Sequence, residues 1–198
     1  ETARIGLSCA LCCGAASAEE LEREEKETAD KDDVEEAAAI EAAAKKTGTN
    51  LYPVSEDLEA TLGNTRLTVY GPASPSSGGN EACLSIYAAL PDFSVLVTGD
   101  LSSDSETELL RGQSVPQADL LVAGHHGSKY STSSLLLRKI APKAVVISVG
   151  ENSYGHPAGE TLSRIQAAGA TILRTDQMGT IRCIGAEDGI RVECTGTD

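Results

Sequence analysis

The sequence is short of aromatic residues, with no tryptophan, one phenylalanine and five tyrosines among 198 residues. Its core must therefore be built from Val, Ile, Leu and Ala. Long hydrophobic runs are missing too. The longest apolar stretches, such as Ala118 to Ala123 broken by Asp119, fall far short of the roughly 20 residues a membrane-spanning helix needs. The opening stretch from Ile5 to Cys13 lacks a strong basic flank and a cleavage pattern, so no signal peptide is expected, and the chain reads as a soluble segment. A basic face is also lacking: 16 Lys and Arg stand against 30 Asp and Glu, for a net charge of −14. Phosphate neutralisation dominates nucleic-acid affinity, so a nucleic-acid ligand would need positive charge from metal ions or from another part of the protein. Histidine is scarce as well. There are three, none of them before His125.

What is present divides at about residue 48. Residues 4–13 read as a buried strand. Residues 17–46 then hold twelve acids and five bases, half of the net negative charge. Ser17 and Glu20 have capping-box spacing, and Glu22 with Lys26 and Glu41 with Lys45 stand four apart with the acid first, which supports an exposed helix. Asp30, Asp32 and Asp33 split the segment into two helical pieces. The second runs from about Asp33 to Lys46 and stops at Thr47-Gly48. Its stripe of Val34, Ala37, Ala38, Ile40 and Ala44 suits packing on a sheet, and the charge run reads as a solvated helix face. The six cysteines include Cys9-x-x-Cys12-Cys13. No second pair at zinc-ribbon spacing and no nearby His accompany that run, so small buried cysteines are favoured over a structural zinc. A disulfide would require a non-cytoplasmic location.

From residue 49 the pattern changes to short strands bounded by turn residues: Leu51 to Val54, Arg66 to Tyr70, Cys83 to Ala89 and Ser94 to Thr98. Residues 71–79 are loop by composition, and Pro91-Asp92 suits a hairpin turn. Ser103 with Glu106 has capping-box spacing for a helix reaching about Arg111. The last third alternates: strand Asp119 to Ala123, helix Ser133 to Ile140, strand Lys143 to Val149, helix Gly159 to Ala168, strand Ala170 to Arg174. Such alternation predicts an α/β sheet whose ligands gather at strand ends. Thr180 to Ile184 and Ile190 to Cys194 read as a terminal hairpin. The expected organisation is one domain over residues 1–198, with a strand and acidic helical segment over 1–48 and a strand-rich part over 49–198.

Chemistry concentrates just after predicted strands. His125 and His126 lie in Gly124-His125-His126-Gly127-Ser128, His156 in Tyr154-Gly155-His156-Pro157, and Asp100 in Thr98-Gly99-Asp100. A strand fixes its own end, and a neighbouring Gly lets the backbone turn and aim the next side chain into a shared cleft. Imidazole and carboxylate are the ligands expected for Zn, Mn or Fe in hydrolytic sites. Taken singly, Asp100 reads as a helix cap and His156 as a residue before a helix, and the histidine pair is harder to explain by packing. The inference rests on their occurring together.

The run Asn80-Glu81-Ala82-Cys83-Leu84-Ser85, then Val95 to Leu101, then Ala118 to Lys129, then Ile147 to Gly150 and Tyr154 to Pro157 resembles, in order and spacing, the C-terminal half of the metallo-β-lactamase-like domain of the ComEC/Rec2 family of bacterial DNA-uptake proteins. Arg174-Thr175-Asp176 and Gly179 match its closing strand pattern, and the resemblance covers roughly residues 33 to 185. It implies an αββα sandwich, incomplete at its N-terminal side, and a metal-dependent hydrolase with two divalent ions, Zn or Mn. Asp100 would match the bridging carboxylate and His156 the last histidine ligand. His125 and His126 would be catalytic, and Asn80, Ser128 and Lys129 would hold substrate. The implied substrate is single-stranded DNA, the implied partners are other competence proteins, and the implied setting is a soluble domain attached to a membrane region of a parent protein.

One departure stands out. The His-x-His-x-Asp-His signature of the fold, or the His-x-Asp-x-Asp-His of this family, should precede the first predicted helix, where this chain has no histidine. Either the chain is a fragment or the motif is lost, and the start within an apparent strand favours a fragment. Asp100 and His156 alone are too few to hold two ions tightly, so this polypeptide by itself is expected to be weakly metallated and inactive. Two other readings remain: a lactonase-like or small-molecule hydrolase of the same fold, and a catalytically silent scaffold domain that meets partners through the acidic helical segment.

Overall fold

The structure, a computed structural model, describes residues 38–51, 54, 56–72, 83–186 and 189–196. The expected opening strand, the first acidic helix, Cys9 to Cys13 and Asn80 lie outside these residues. A helix, α1, occupies residues 38–47 and ends at Gly48, whose φ of +69° is the left-handed stop expected there. The packing expected of its apolar stripe is not borne out among the described residues. Ala44 is buried, but Ile40 is 59% exposed. A stripe made mostly of alanine removes little area from water, which leaves the helix weakly anchored.

β1 (Leu58–Leu62) and β2 (Thr65–Tyr70) form a hairpin closed by Gly63-Asn64, with Leu62 opposite Thr65. Of the strand expected at Leu51 to Val54, only Leu51 and Val54 are described, and neither has strand structure. The first described strand is instead β1, an edge strand with all five residues exposed. β3 (Ser85–Ala89) and β4 (Ser94–Val97) form the next hairpin around Pro91-Asp92, Leu90 donating to the Phe93 carbonyl at 2.9 Å. The chain then alternates α2 (Ser103–Gly112), β5 (Leu120–Val122), α3 (Ser134–Ile140), β6 (Ala144–Ile147), α4 (Gly159–Ala167) and β7 (Thr171–Arg174). A short α5 (Thr175–Met178) leads into the hairpin of β8 (Ile181–Ala186) and β9 (Gly189–Cys194).

The seven strands β1 to β7 lie side by side in sequence order, antiparallel from β1 to β4 and parallel from β4 to β7. The fold is thus mixed α/β. Side chains of a strand alternate between faces, and the parallel strands are apolar on both. One face carries Leu96, Leu121, Val145 and Ile147, all at most 1% exposed, against Leu109 of α2, Leu136, Leu137 and Ile140 of α3, and Ile165 of α4. Three successive right-handed crossovers moving the same way along a sheet put their helices on one side, as found. The opposite face, with Val95, Leu120, Ala144, Val146 and Leu173, packs on Ile181, Cys183, Ile190 and Val192 of the β8–β9 hairpin. Burial there pushes the Cys183 thiol above its ordinary pKa.

At the N-terminal ends of the parallel strands, the Asp119 carboxylate accepts from the Ser94 N–H and hydroxyl, each at 2.9 Å, and pairs with Lys143 at 2.8 Å. One side chain therefore ties β4, β5 and β6 together, and the Lys143 bond holds the Asp119 carboxyl below the usual carboxylate range. The expected Ser103–Glu106 capping box is replaced. Ser102 caps α2, its hydroxyl accepting from the Ser105 N–H at 3.2 Å. Glu106 instead turns inward, fully buried, toward Thr132 and Ser133.

Candidate functional site

Parallel pairing places Val97 opposite Val122, and Val122 opposite Val146. Asp100 and His125 each stand three residues beyond paired positions, so the ladder brings the two loops out together. They are joined directly: Gly99, at a φ of +61°, offers its carbonyl to the His125 N–H at 3.1 Å. The Gly124-His125-His126-Gly127 loop is a single tight turn, in which His125 (φ 48°, ψ 47°) and His126 (φ 52°, ψ 27°) both adopt the left-handed conformation. For a residue with a Cβ this costs about 1–2 kcal/mol each, so surrounding contacts must enforce it.

Those contacts are numerous. The Gly124 N–H donates to the Thr132 hydroxyl at 3.0 Å, and the Gly124 carbonyl accepts from the Ser131 hydroxyl at 2.7 Å. The Ser128 N–H donates to the His125 carbonyl at 2.9 Å, and the Thr161 hydroxyl donates to the Ser128 carbonyl at 2.7 Å. Behind the loop, the Glu106 carboxylate accepts from the N–H groups of Thr132 and Ser133 at 2.5 and 2.8 Å. Arg164 donates to the carbonyls of Lys129, Ser131 and Thr132 at 3.0, 2.8 and 3.2 Å. Burial raises the Glu106 pKa, against the opposing pull of its hydrogen bonds to Ser133 and Thr132 and of the Arg164 charge.

His126 is aimed by its own ring. Its Nδ1 lies 2.7 Å from the Ser148 carbonyl, which follows β6. A carbonyl only accepts, so Nδ1 carries the hydrogen and Nε2 is the nitrogen left for chemistry. Gly127 (φ +83°) packs so closely that an added Cβ would lie 2.7 Å from Pro157 Cβ and 3.2 Å from Ile147 Cγ2, and its carbonyl accepts from the Ala158 N–H at 2.9 Å. The loop carrying His156 is thereby pressed against the histidine pair.

The His156 ring meets the His125 ring edge-on, with centroids 5.7 Å apart and planes at 77°. The Tyr154 ring stacks on it at 5.9 Å and 29°. Asn152 builds this loop: its amide oxygen accepts from the N–H groups of Tyr154 and His156 at 3.1 and 3.0 Å, and its amide nitrogen donates to the carbonyls of Gly150 and His156, both at 2.8 Å. The His156 Nδ1 is buried without a hydrogen-bond partner. Its pKa lies below the ordinary histidine value, first because of burial and then because of the charges of His125 and His126, with Asp100 pulling the other way.

Four residues singled out in the sequence, Asp100, His125, His126 and His156, thus lie beyond the carboxyl ends of β4, β5 and β6. Ser128 is buried, with its hydroxyl accepting from the Tyr130 N–H at 3.3 Å, and Lys129 is exposed. The supports Glu106, Asn152, Thr132 and Arg164 were not anticipated. As metal donors the set is partial: among the described residues no three His, Cys, Asp or Glu side chains gather closely enough to hold an ion. The unpartnered Nδ1 of His156 suits a ligand, but these donors alone do not fit a two-metal centre.

Fold and site together define a mixed α/β domain with an acid–imidazole cluster at the carboxyl ends of its parallel strands. No protein-family model matches the chain. The chain is 32% identical over 142 residues to ComE operon protein 3 of Bacillus subtilis, a match covering 71% of the chain and 18% of that protein. It is 35% identical over 102 residues to Competence protein ComA of Neisseria gonorrhoeae and 31% identical over 101 residues to Recombination protein 2 of Haemophilus influenzae, half of the chain in each case. The chain belongs to the ComEC/Rec2 family of competence proteins. It spans between 13% and 18% of the length of these three relatives. Among the described residues no helix is long and apolar enough to cross a membrane.

Proposed function

We propose that the chain is part of the metallo-β-lactamase-like hydrolase domain of a DNA-internalisation protein, and that the domain cleaves phosphodiester bonds of a DNA strand during uptake. The observation that carries this reading is the convergence of Asp100, His125, His126 and His156 beyond strands β4, β5 and β6. In the family pattern Asp100 and His156 are ligands of two divalent ions, Zn or Mn, which when bound supply an activated water and positive charge. The remaining ligands must come from outside the described residues. The chain's own contribution is positioning and proton transfer. His126, its Nδ1–H held by Ser148, presents Nε2 to accept a proton when neutral or to donate one to a leaving oxygen when charged. Lys129 and Ser128 border the same loop and, with Asn80, are assigned to the phosphate. The partners in this reading are single-stranded DNA, other competence proteins and the membrane region of the parent protein.

A second reading, a catalytically silent scaffold, is favoured by one observation, the absence of a three-donor group among the described residues. The two are separated in a full-length family member by replacing the residues that correspond to Asp100 and His156 with Ala and following degradation of single-stranded DNA with Mn²⁺. The hydrolase reading expects a loss of at least about a hundredfold. Unchanged degradation selects the scaffold, and cleavage of a small ester with DNA untouched selects a lactonase-like enzyme.

A further inference from the structure

A neutral imidazole has one ring hydrogen and two nitrogens that can carry it, and its surroundings decide which one does. For His126 the Ser148 carbonyl decides, lying 2.7 Å from Nδ1. That carbonyl is one end of a peptide group whose other end is the Val149 N–H. A trans peptide group is planar, with its C=O and N–H pointing in opposite directions, so whatever fixes the N–H also aims the carbonyl. The Val149 N–H donates to the Thr175 hydroxyl at 2.7 Å, and the same hydroxyl donates to the Val149 carbonyl at 2.7 Å. One peptide group therefore joins Thr175 on one side to His126 on the other.

Thr175 is placed for this by its neighbours. It follows β7, whose last paired residue, Arg174, stands opposite Ile147 of β6. Arg174 and Asp176 hold each other across it, the guanidinium Nε and Nη2 each donating to one carboxylate oxygen, which fixes the turn from strand to helix. The Arg174-Thr175-Asp176 run thus works as a unit. Its charged pair sets the backbone, and the threonine hydroxyl between them reaches back to the loop after β6. Val149 is in turn packed against the main core. Hydrogen bonds in series polarise one another, so a carbonyl whose own peptide N–H is donating accepts more strongly.

We propose that Thr175 is a positioning residue for His126. Through the planar Ser148–Val149 peptide it keeps the ring hydrogen on Nδ1 and leaves the lone pair on Nε2. The use made of Nε2 rests on the phosphodiesterase reading; the hydrogen-bond relay that frees it does not.

The test uses the whole chain with isotope-labelled histidine rings, at about pH 8, where an ordinary imidazole is neutral. Three histidines give three ring patterns, and that of His126 is the one lost in His126→Gln. Long-range proton–nitrogen spectra read which nitrogen carries the hydrogen, and in the wild type it should be Nδ1. Thr175→Val keeps the shape of the side chain and removes the hydroxyl. The ratio of Nδ1–H to Nε2–H forms should then fall by about fivefold, the worth of one ordinary hydrogen bond. Thr175→Ser retains the hydroxyl and should keep the wild-type ratio. A loss of packing alone would lower the melting temperature and leave the ratio where it was, so thermal melts accompany each spectrum. A wild-type His126 with its hydrogen on Nε2, a Val variant with the wild-type ratio, or a Ser variant shifted as far as the Val variant would each overturn the relay. The first of these is read on the wild type and needs no variant to fold. Failure of the hydrolase reading looks different: the expected ring response in this chain with no strand cleavage by a full-length family member.

Discussion

Glu106 is the sharpest place to perturb the support of the histidine loop. Its carboxylate is fully buried and accepts the N–H groups of Thr132 and Ser133, the first belonging to the residue whose hydroxyl holds Gly124 and the second to the N-cap of α3. Glu106→Gln keeps the shape and volume but leaves one oxygen for two donors, while its NH2 faces an N–H. Hydrogen bonds to a charged acceptor contribute about 1.5–3 kcal/mol each, and relief from burying a charge offsets part of that loss. A net loss of about 2 kcal/mol at neutral pH follows. Burial raises the Glu106 pKa in the fold above its unfolded value, so the native state binds the proton more readily than the unfolded state does. Stability conferred by wild-type Glu106 must therefore increase as pH falls through the folded pKa toward the lower unfolded value, a dependence the Gln variant lacks. Urea denaturation of both proteins at neutral and mildly acidic pH reads the gap, which should widen on acidification. A gap that narrows, or a loss under about 0.5 kcal/mol at neutral pH, would refute the reasoning.

Gly127→Ala combines a left-handed backbone with a Cβ placed 2.7 Å from Pro157, so it should cost about 2–4 kcal/mol in chemical denaturation, and a loss under about 1 kcal/mol would mean the two loops separate easily. Arg164→Lys replaces a fork serving the carbonyls of Lys129, Ser131 and Thr132 with a point charge. It should destabilise by about 1–3 kcal/mol and, in a double-mutant cycle with Glu106→Gln, show coupling above about 0.5 kcal/mol, since both brace the same turn. Asp119→Ala should cost about 1–2 kcal/mol, reduced by the solvent access of Lys143. Because the Asp119 pKa is lowered in the fold, its contribution is present above the unfolded value near pH 4 and fades as pH drops through the folded pKa, which acid titration of wild type against variant would reveal.

The strands from β2 onward could be read from the sequence, because Val, Ile and Leu cluster between turn residues there. β1 could not. Leu58-Glu59-Ala60-Thr61-Leu62 contains poor strand formers, and its identity comes from pairing with β2 across Gly63-Asn64. The two-residue Gly-Asn turn was the overlooked signal. Ser103 and Glu106 have the spacing of a capping box, yet Glu106 bonds to residues 26 and 27 positions away, a partnership no local pattern carries. Glycines beside strand ends did announce Asp100 and the histidines. The supports were silent for a physical reason: Asn152 and Arg164 act mainly on backbone carbonyls and amides, which every residue possesses. Nor does anything in His125-His126 as letters announce two consecutive left-handed residues, since that conformation is imposed from outside.

The unbroken parallel ladder through β4, β5 and β6 works as a ruler whose divisions are fixed by hydrogen-bond spacing. Interior substitutions among apolar β-formers leave its markings alone. Adding or removing a single residue inside β5 would shift His125 by about 3.3 Å relative to Asp100 and turn its strand neighbours to the wrong side. Between these strands and the residues they carry, length is the constrained quantity, more tightly than identity.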